Sequence, residues 1–135
     1  MKALVTFMIL IEIFLSPGEV PWNKTSDWKL YQIQGHGVFN YSIDTLKSFK
    51  SLPLDADSIK SYLNTAQIMK HDGSVAWMGG YVATCKLDGA TRKIEISNYG
   101  GFFYDESTKA FYQVQKEKAG AWWAYFHHSY GKFIE

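Results

Sequence analysis

Cysteine and proline are scarce in this sequence, and charge of neither sign is in excess. Of its 135 residues, one is cysteine and three are proline. Because Cys85 is the only cysteine, an internal disulfide and a thiolate metal cluster are excluded, and the fold depends on its apolar core. The formal net charge is +1, whereas proteins that bind nucleic acid or anionic lipid usually carry a marked excess of Lys and Arg. We therefore expect no nucleic-acid partner.

One long apolar run stands at the N-terminus. A lysine precedes residues 3–15, "ALVTFMILIEIFL", and the small residues Ser16 and Gly18 follow at positions −3 and −1 of a potential cleavage site. This is the layout of a secretory signal peptide, and the run is shorter than the ~20 residues of a membrane-spanning helix. We predict a signal peptide over 1–18, an exported (periplasmic or extracellular) protein without a membrane span, and one domain over 19–135. The alternative is a buried N-terminal element of a protein that is not exported.

The clearest helix signal lies in residues 58–71. Asp57 precedes the segment as a potential N-cap, and Gly73 follows it as a stop. Apolar residues recur inside the segment at helical spacing, at Ile59, Tyr62, Leu63, Ala66 and Met69. This pattern predicts an amphipathic helix with one face against a sheet.

Strand patterns flank this helix on both sides. Residues 27–34 alternate apolar and polar side chains, and residues 51–57 read as a connector, while residues 38–49 fit either a strand or a short helix. Three further strands are predicted after the helix, over 75–87, 92–104 and 109–115. The predicted fold class is α+β: a single domain with one main helix packed on a curved antiparallel sheet of four to five strands.

Two Gly-Gly pairs suggest where the sheet bends. A symmetric turn over 88–91 places Cys85 opposite Ile94 and keeps one face of the hairpin apolar. The same register brings Gly79 opposite Gly100. Since glycine weakens a strand, the pairs predict a sharp bend that nearby aromatic rings cover. A turn over 105–108 would place Tyr112 opposite Gly101, where its ring could serve this purpose.

The predicted order of a helix followed by three antiparallel strands resembles that of small domains in which a curved sheet wraps one helix, such as those with the cystatin-like fold. The likeness is one of architecture alone and implies no site residue or activity.

Aromatic residues fall on both faces of the predicted sheet, although one helix covers only one face. Two interpretations stay open: residues 121–133 cover the second face, or that face recognises a partner. The second interpretation makes five aromatic residues partner-binding candidates, and it requires Tyr99, Tyr112 and Trp122 to be partly exposed. The five are Trp77, Tyr81, Tyr99, Tyr112 and Trp122.

Residues that could carry out catalysis or bind a metal are few and poorly spaced. His127 and His128 would point to opposite faces of a strand, which suits a shared metal poorly. Glu95, Asp105 and Glu106 could pair as catalytic carboxylates, but acids in a turn are usually solvated. We predict no catalytic residue, metal ligand or cofactor.

These features favour a non-catalytic recognition protein: an exported binding, inhibitor or immunity-type domain with a protein partner, since Trp and Tyr are common interface anchors. One alternative is a small-ligand-binding protein or enzyme that uses the concave face of the sheet, where Trp77, Tyr81, Tyr99 and a histidine would line a pocket. Another is an accessory subunit of an envelope complex.

Overall fold

The strands of this chain form one antiparallel sheet, as a computed structural model that describes residues 20–35, 41–69 and 80–134 shows. Within these ranges the strands are β1 Ser26–Gln34, β2 Ser51–Pro53, β3 Gln67–Ile68, β4 Tyr81–Leu87, β5 Ala90–Ile96, β6 Phe102–Asp105 and β7 Ala110–Gln113. The helices are α1 Ile43–Leu46, α2 Ala56–Leu63 and α3 Ala119–Gly131, and single 3₁₀ turns lie at Trp22–Lys24 and Lys116–Lys118. The predicted signal peptide, Trp77 and Gly79 lie outside the described residues.

The strand order across the sheet is β2-β1-β4-β5-β6-β7-β3, which makes seven strands in the described part of the chain. The predicted α+β class is confirmed: one main helix packs on an antiparallel sheet in a single domain, and the sheet is larger than the four to five strands expected. Two short strands account for the difference. β2 lies in the segment predicted as a connector, where Pro53 is tolerated at a sheet edge, and β3 lies inside the predicted helix.

The predicted main helix over 58–71 is shorter than its apolar stripe suggests. Asp55, rather than Asp57, is the N-cap, and the helix ends at Leu63. Residues Gln67–Ile68 leave the helix and pair with β7. The edge of β7 supplies backbone hydrogen bonds that compete with a continued helix, including one from the Met69 amide to the Phe111 carbonyl at 2.8 Å. The main helix is instead α3, in the C-terminal segment.

The hairpin of β4 and β5 turns through two residues rather than four. Asp88 and Gly89 both have positive φ, 53° and 78°, as a tight two-residue hairpin turn requires. Cys85 therefore pairs with Arg92, not with Ile94 as predicted. A shift of two residues keeps every side chain on its expected face, since the side-chain period is two.

The predicted strand over 92–104 is in fact two strands. A turn through Gly100 and Gly101, with φ of 68° and 76°, separates β5 from β6. Gly100 therefore lies in a turn and not in a strand as predicted, and Gly79, its predicted partner, lies outside the described residues. Tyr112 lies opposite Phe103 rather than Gly101.

Both longer helices cover the same face of the sheet. Ile59 and Leu63 of α2 join Trp122 and Phe126 of α3 in one buried cluster with the sheet residues. The segment around α1, within residues 41–49, packs against the other face, where Leu46 is fully buried. The ambiguous stretch 38–49 is thus helical at Ile43–Leu46, with Ser42 as its N-cap.

Candidate functional site

Four of the five predicted partner-binding residues are described by the structure, and these four do not form one surface. Tyr81, Tyr112 and Trp122 are buried, with 1%, 2% and 0% of their surface exposed, whereas Tyr99 is 56% exposed. Trp77 lies outside the described residues. The expectation of partial exposure is therefore wrong for Tyr112 and Trp122, and it is confirmed for Tyr99.

The burial of Tyr112 and Trp122 follows from the packing of α3 and the 3₁₀ turn at Trp22–Lys24 on the sheet. Tyr112 stacks on Phe103 with ring centroids 5.3 Å apart, and the Trp22 ring meets it edge-on. Trp122 lies 5.4 Å from Phe103. These rings form the centre of the core, so a partner cannot reach them in the folded state.

Tyr99 is presented by the glycine turn between β5 and β6. The Tyr99 amide donates a hydrogen bond to Ser97 Oγ at 3.2 Å. Gly101 brings the turn close to the start of α3, since a Cβ there would lie 2.8 Å from the Val114 side chain and 3.0 Å from Ala119 Cβ. Gly101 therefore permits a close approach of the turn and the helix, and Gly100 and Gly101 form a turn between strands rather than a bend within one.

Two side chains of α3 extend this surface. Trp123 and His127 are one helical turn apart on α3, and their rings stack with centroids 4.5 Å apart and planes 14° apart. Trp123 Nε1 donates a hydrogen bond to Asn98 Oδ1 at 3.3 Å, which ties the helix to the residue before Tyr99. We call the surface of Asn98, Tyr99, Trp123 and His127 the Tyr99–Trp123 patch.

Tyr81 lies beneath this patch and orients it. Its hydroxyl is 2.8 Å from His127 Nδ1, and Gln34 of β1 lies opposite Tyr81 in the sheet. Burial, with the neighbouring Tyr130, raises the pKa of Tyr81, so the hydroxyl stays protonated and can donate to Nδ1. This bond occupies Nδ1 and leaves the second ring nitrogen of His127, Nε2, for a partner. The patch thus combines aromatic rings with a polar ring atom.

A second group of polar residues lies on the opposite face of the sheet, around Lys93. Lys93 is 1% exposed, and its Nζ donates to the Tyr41 carbonyl at 2.6 Å. Two carboxylates share the same ammonium group: Glu106 at 2.8 Å and Glu95 at 3.2 Å. Lys93 thus connects the residues before α1 to the sheet.

Glu95 is the least satisfied member of this group. It is 1% exposed, and neither carboxylate oxygen has a hydrogen bond of good geometry from the described residues. Burial raises the pKa of Glu95 to about 7, although the Lys93 charge acts in the opposite direction. A carboxyl group of this kind could exchange protons near neutral pH, but its burial keeps it away from any substrate.

Asp105 belongs to the helix-covered face and not to this group. It is fully buried, pairs with Arg92 and accepts hydrogen bonds from the Ser107 amide and the Thr108 hydroxyl. These bonds shape the turn before β7. The expectation that Asp105 is a solvated turn acid is therefore wrong, and of the three acids only Glu95 and Glu106 share a site.

Cys85 and the paired histidines lie where they have little chemistry available. Burial raises the pKa of the Cys85 thiol to about 12, so thiolate is scarce at neutral pH. His127 and His128 are on α3, not on a strand as expected. Within the described ranges, no group of three or more His, Cys, Asp or Glu side chains is placed to hold a metal ion.

Comparisons with protein-family models, with curated proteins and with solved structures gave no match for this chain. Across the described residues, no helix has the length and apolar character needed to cross a membrane. The function is therefore inferred from the geometry of the Tyr99–Trp123 patch.

Sequence reasoning missed Trp123, His127 and Asn98 as parts of a site. Helical periodicity in residues 119–131 could have placed Trp123 and His127 on one flank, because they are four positions apart. The contact with Asn98 joins residues 25 positions apart, and no local pattern encodes it.

Proposed function

We propose that this protein is an exported, non-catalytic recognition domain that binds another protein through the Tyr99–Trp123 patch. The observation that carries the proposal is the exposure of Tyr99, which at 56% is the most exposed of the Phe, Tyr and Trp residues that the structure describes. An aromatic ring with this much exposure adds little to the stability of the fold. It is suited to become buried in a partner's pocket.

The neighbours of Tyr99 support the same proposal. The Trp123–His127 stack is held from below by Tyr81 and from the side by Asn98, so ordering this surface costs little entropy when a partner binds. The His127 ring and the Asn98 amide can pair with carbonyl or carboxylate groups of a partner. Rigid aromatic anchors beside polar groups are characteristic of protein interfaces.

Alanine variants of the two aromatic anchors test the proposal. The tagged protein captures its partner from the native envelope, and affinity for the purified partner is then measured by calorimetry. Tyr99→Ala and Trp123→Ala should each weaken binding by about 2 kcal/mol or more, roughly thirtyfold. Tyr99→Ala should leave the melting temperature nearly unchanged, because the ring is mostly in solvent.

Ile134→Ala is the matched control. Ile134 is 79% exposed and follows the C-terminal end of α3, away from Trp123, so its removal should not alter affinity. Equal affinity of the wild type and a folded Tyr99→Ala variant would contradict the proposed interface. Binding of a small molecule that protects both aromatic rings, without any protein partner, would favour the ligand-binding alternative.

A further inference from the structure

A small cavity on the face of the sheet where α1 packs is lined by three lysines. Its volume is about 250 Å³, and it lies between strands β1, β4 and β5 and the helix α1. The lining residues that matter here are Asp27, Lys29, Tyr31, Lys47, Thr84 and Lys86. We call it the Lys29–Lys86 pocket. It is separate from the Tyr99–Trp123 patch, with which it shares no residue.

The strand register brings the lining residues together. Lys29 of β1 lies directly opposite Thr84 of β4, so their side chains share one face of the sheet. Lys86 follows on the same face of β4, two residues after Thr84. Lys47 reaches the cavity from the residue that ends α1. Three lysines thus line one cavity, and Asp27 is the one acidic residue in its lining.

The pocket also contains a hydroxyl pair. The Tyr31 hydroxyl and Thr84 Oγ1 are 3.1 Å apart, and the two residues are 8% and 3% exposed. One hydroxyl donates its hydrogen in this bond, and the other keeps a hydrogen that it can donate elsewhere. A ligand in the pocket can therefore receive one neutral hydrogen bond in addition to those of the ammonium groups.

The existing ion pairs do not use up the positive charge. Lys86 Nζ is 3.8 Å from Asp27 Oδ2, and Lys47 Nζ is 3.4 Å from Asp44 Oδ1, with all four side chains at least 46% exposed. Exposed pairs of this kind contribute little stability and rearrange easily. Lys29 makes no ion pair with any described residue. Lys93, which lies opposite Thr84 on the neighbouring strand β5, already pairs with two carboxylates.

We propose that the Lys29–Lys86 pocket binds a small oxyanion of the phosphate class, either as free phosphate or as the phosphate group of an ester. The volume is below the 300–1,000 Å³ of typical sites for larger organic ligands, which favours a compact tetrahedral anion. Ammonium groups bind phosphate as point charges. Three lysines thus line one cavity in a chain whose net charge is only +1.

Titration of the purified protein with inorganic phosphate tests the proposal. Backbone amide NMR shifts are followed at constant ionic strength in chloride buffer, so that general screening is the same throughout. Saturable shifts should be concentrated in residues 27–31 and 84–91. Methyl phosphate, titrated in the same way, shows whether a free anion or an ester group fits better. Acetate should bind at least tenfold more weakly.

Paired variants separate this site from general charge effects. The double variant Lys29→Gln, Lys86→Gln should weaken phosphate binding at least tenfold, and both positions are exposed, so folding should be retained. Lys132→Gln removes an exposed lysine outside the pocket and should change affinity less than twofold.

Three results would overturn the proposal: no saturable shift with either phosphate compound, an equal response to acetate, or unchanged affinity in the double lysine variant.

Discussion

At the scale of single residues, the most unusual environment is that of Glu95. Its carboxyl group is buried beside Lys93, whose ammonium group also pairs with Glu106, and Tyr104 lies opposite Glu95 on β6. Withdrawal from water favours the neutral acid, and this effect exceeds the attraction of Lys93. The pKa of Glu95 is therefore raised to about 7. The folded state therefore favours the protonated form of Glu95 more than the unfolded state does.

This preference makes stability depend on pH in a defined direction. The pKa rises from 4.5 to about 7 on folding, so the contribution of neutral Glu95 is complete below pH 4.5 and is lost as the pH rises through 7. A shift of this size corresponds to about 3 kcal/mol. Urea unfolding at pH 5 and pH 8 should show a larger loss of stability on going to pH 8 for the wild type than for Glu95→Gln.

Glu117→Gln is the control for this comparison. Glu117 is exposed in the 3₁₀ turn before α3, so its replacement should leave the pH dependence of the wild type intact. An unchanged pH dependence in Glu95→Gln would show that the carboxyl group ionises normally in the folded protein.

At the scale of elements, the turn between β5 and β6 decides how the Tyr99–Trp123 patch is presented. The Gln113 side-chain Nε2 donates to the Gly100 carbonyl at 2.9 Å, and the Val114 backbone amide donates to the Gly101 carbonyl at 3.0 Å. Both glycines that accept these bonds have positive φ. The turn, β7 and the start of α3 are thereby held as one unit.

Replacing Gly101 by alanine tests this role. Its φ of 76° disfavours any side chain, and the new Cβ would lie 2.8 Å from the Val114 side chain. We expect Gly101→Ala to lower the free energy of unfolding by at least about 2 kcal/mol, as measured by urea unfolding.

Gly120→Ala is the matched variant, in the first turn of α3. A Cβ there has no neighbour within 4 Å, and alanine is favoured over glycine in a helix by about 0.5–1 kcal/mol. This variant should be as stable as the wild type or slightly more so. Equal stability of Gly101→Ala and Gly120→Ala would contradict the proposed function of the turn.

At the scale of the whole molecule, the sheet is covered on both sides by different parts of the chain. The α2 and α3 helices bury the larger aromatic cluster, and the α1 segment packs on the opposite face. The two proposed sites follow this division. The Tyr99–Trp123 patch lies beside α3, and the Lys29–Lys86 pocket lies beneath α1.

Export is the prediction that concerns the whole chain. When the full sequence is expressed in a host with a secretory pathway, the exported protein should begin near Glu19, because Gly18 ends the predicted signal peptide. N-terminal sequencing checks this. Leu10→Arg, which places a charge in the apolar run, should retain the uncleaved protein inside the cell. Exported protein that still begins with Met1 would count against the prediction.

Local patterns in the sequence determined the fold class, the first strand and the faces of the β4–β5 hairpin. Side-chain alternation has a period of two, so the apolar face of that hairpin was correct even though the register was shifted by two residues. The apolar spacing of Ile59 and Leu63 also identified a helix correctly, since both are buried in α2. These features depend on the spacing of residues that are close together along the chain.

Only the tertiary structure decided which aromatic residues are core and which are surface. Tyr112 and Tyr99 look alike in sequence, but α3 and the Trp22 turn cover the first and leave the second open. The same holds for Lys93 and Glu95, whose charged pattern is typical of a solvated face and which are buried. Burial depends on contacts between distant segments, as does the length of α2, which ends where the edge of β7 offers a strand partner.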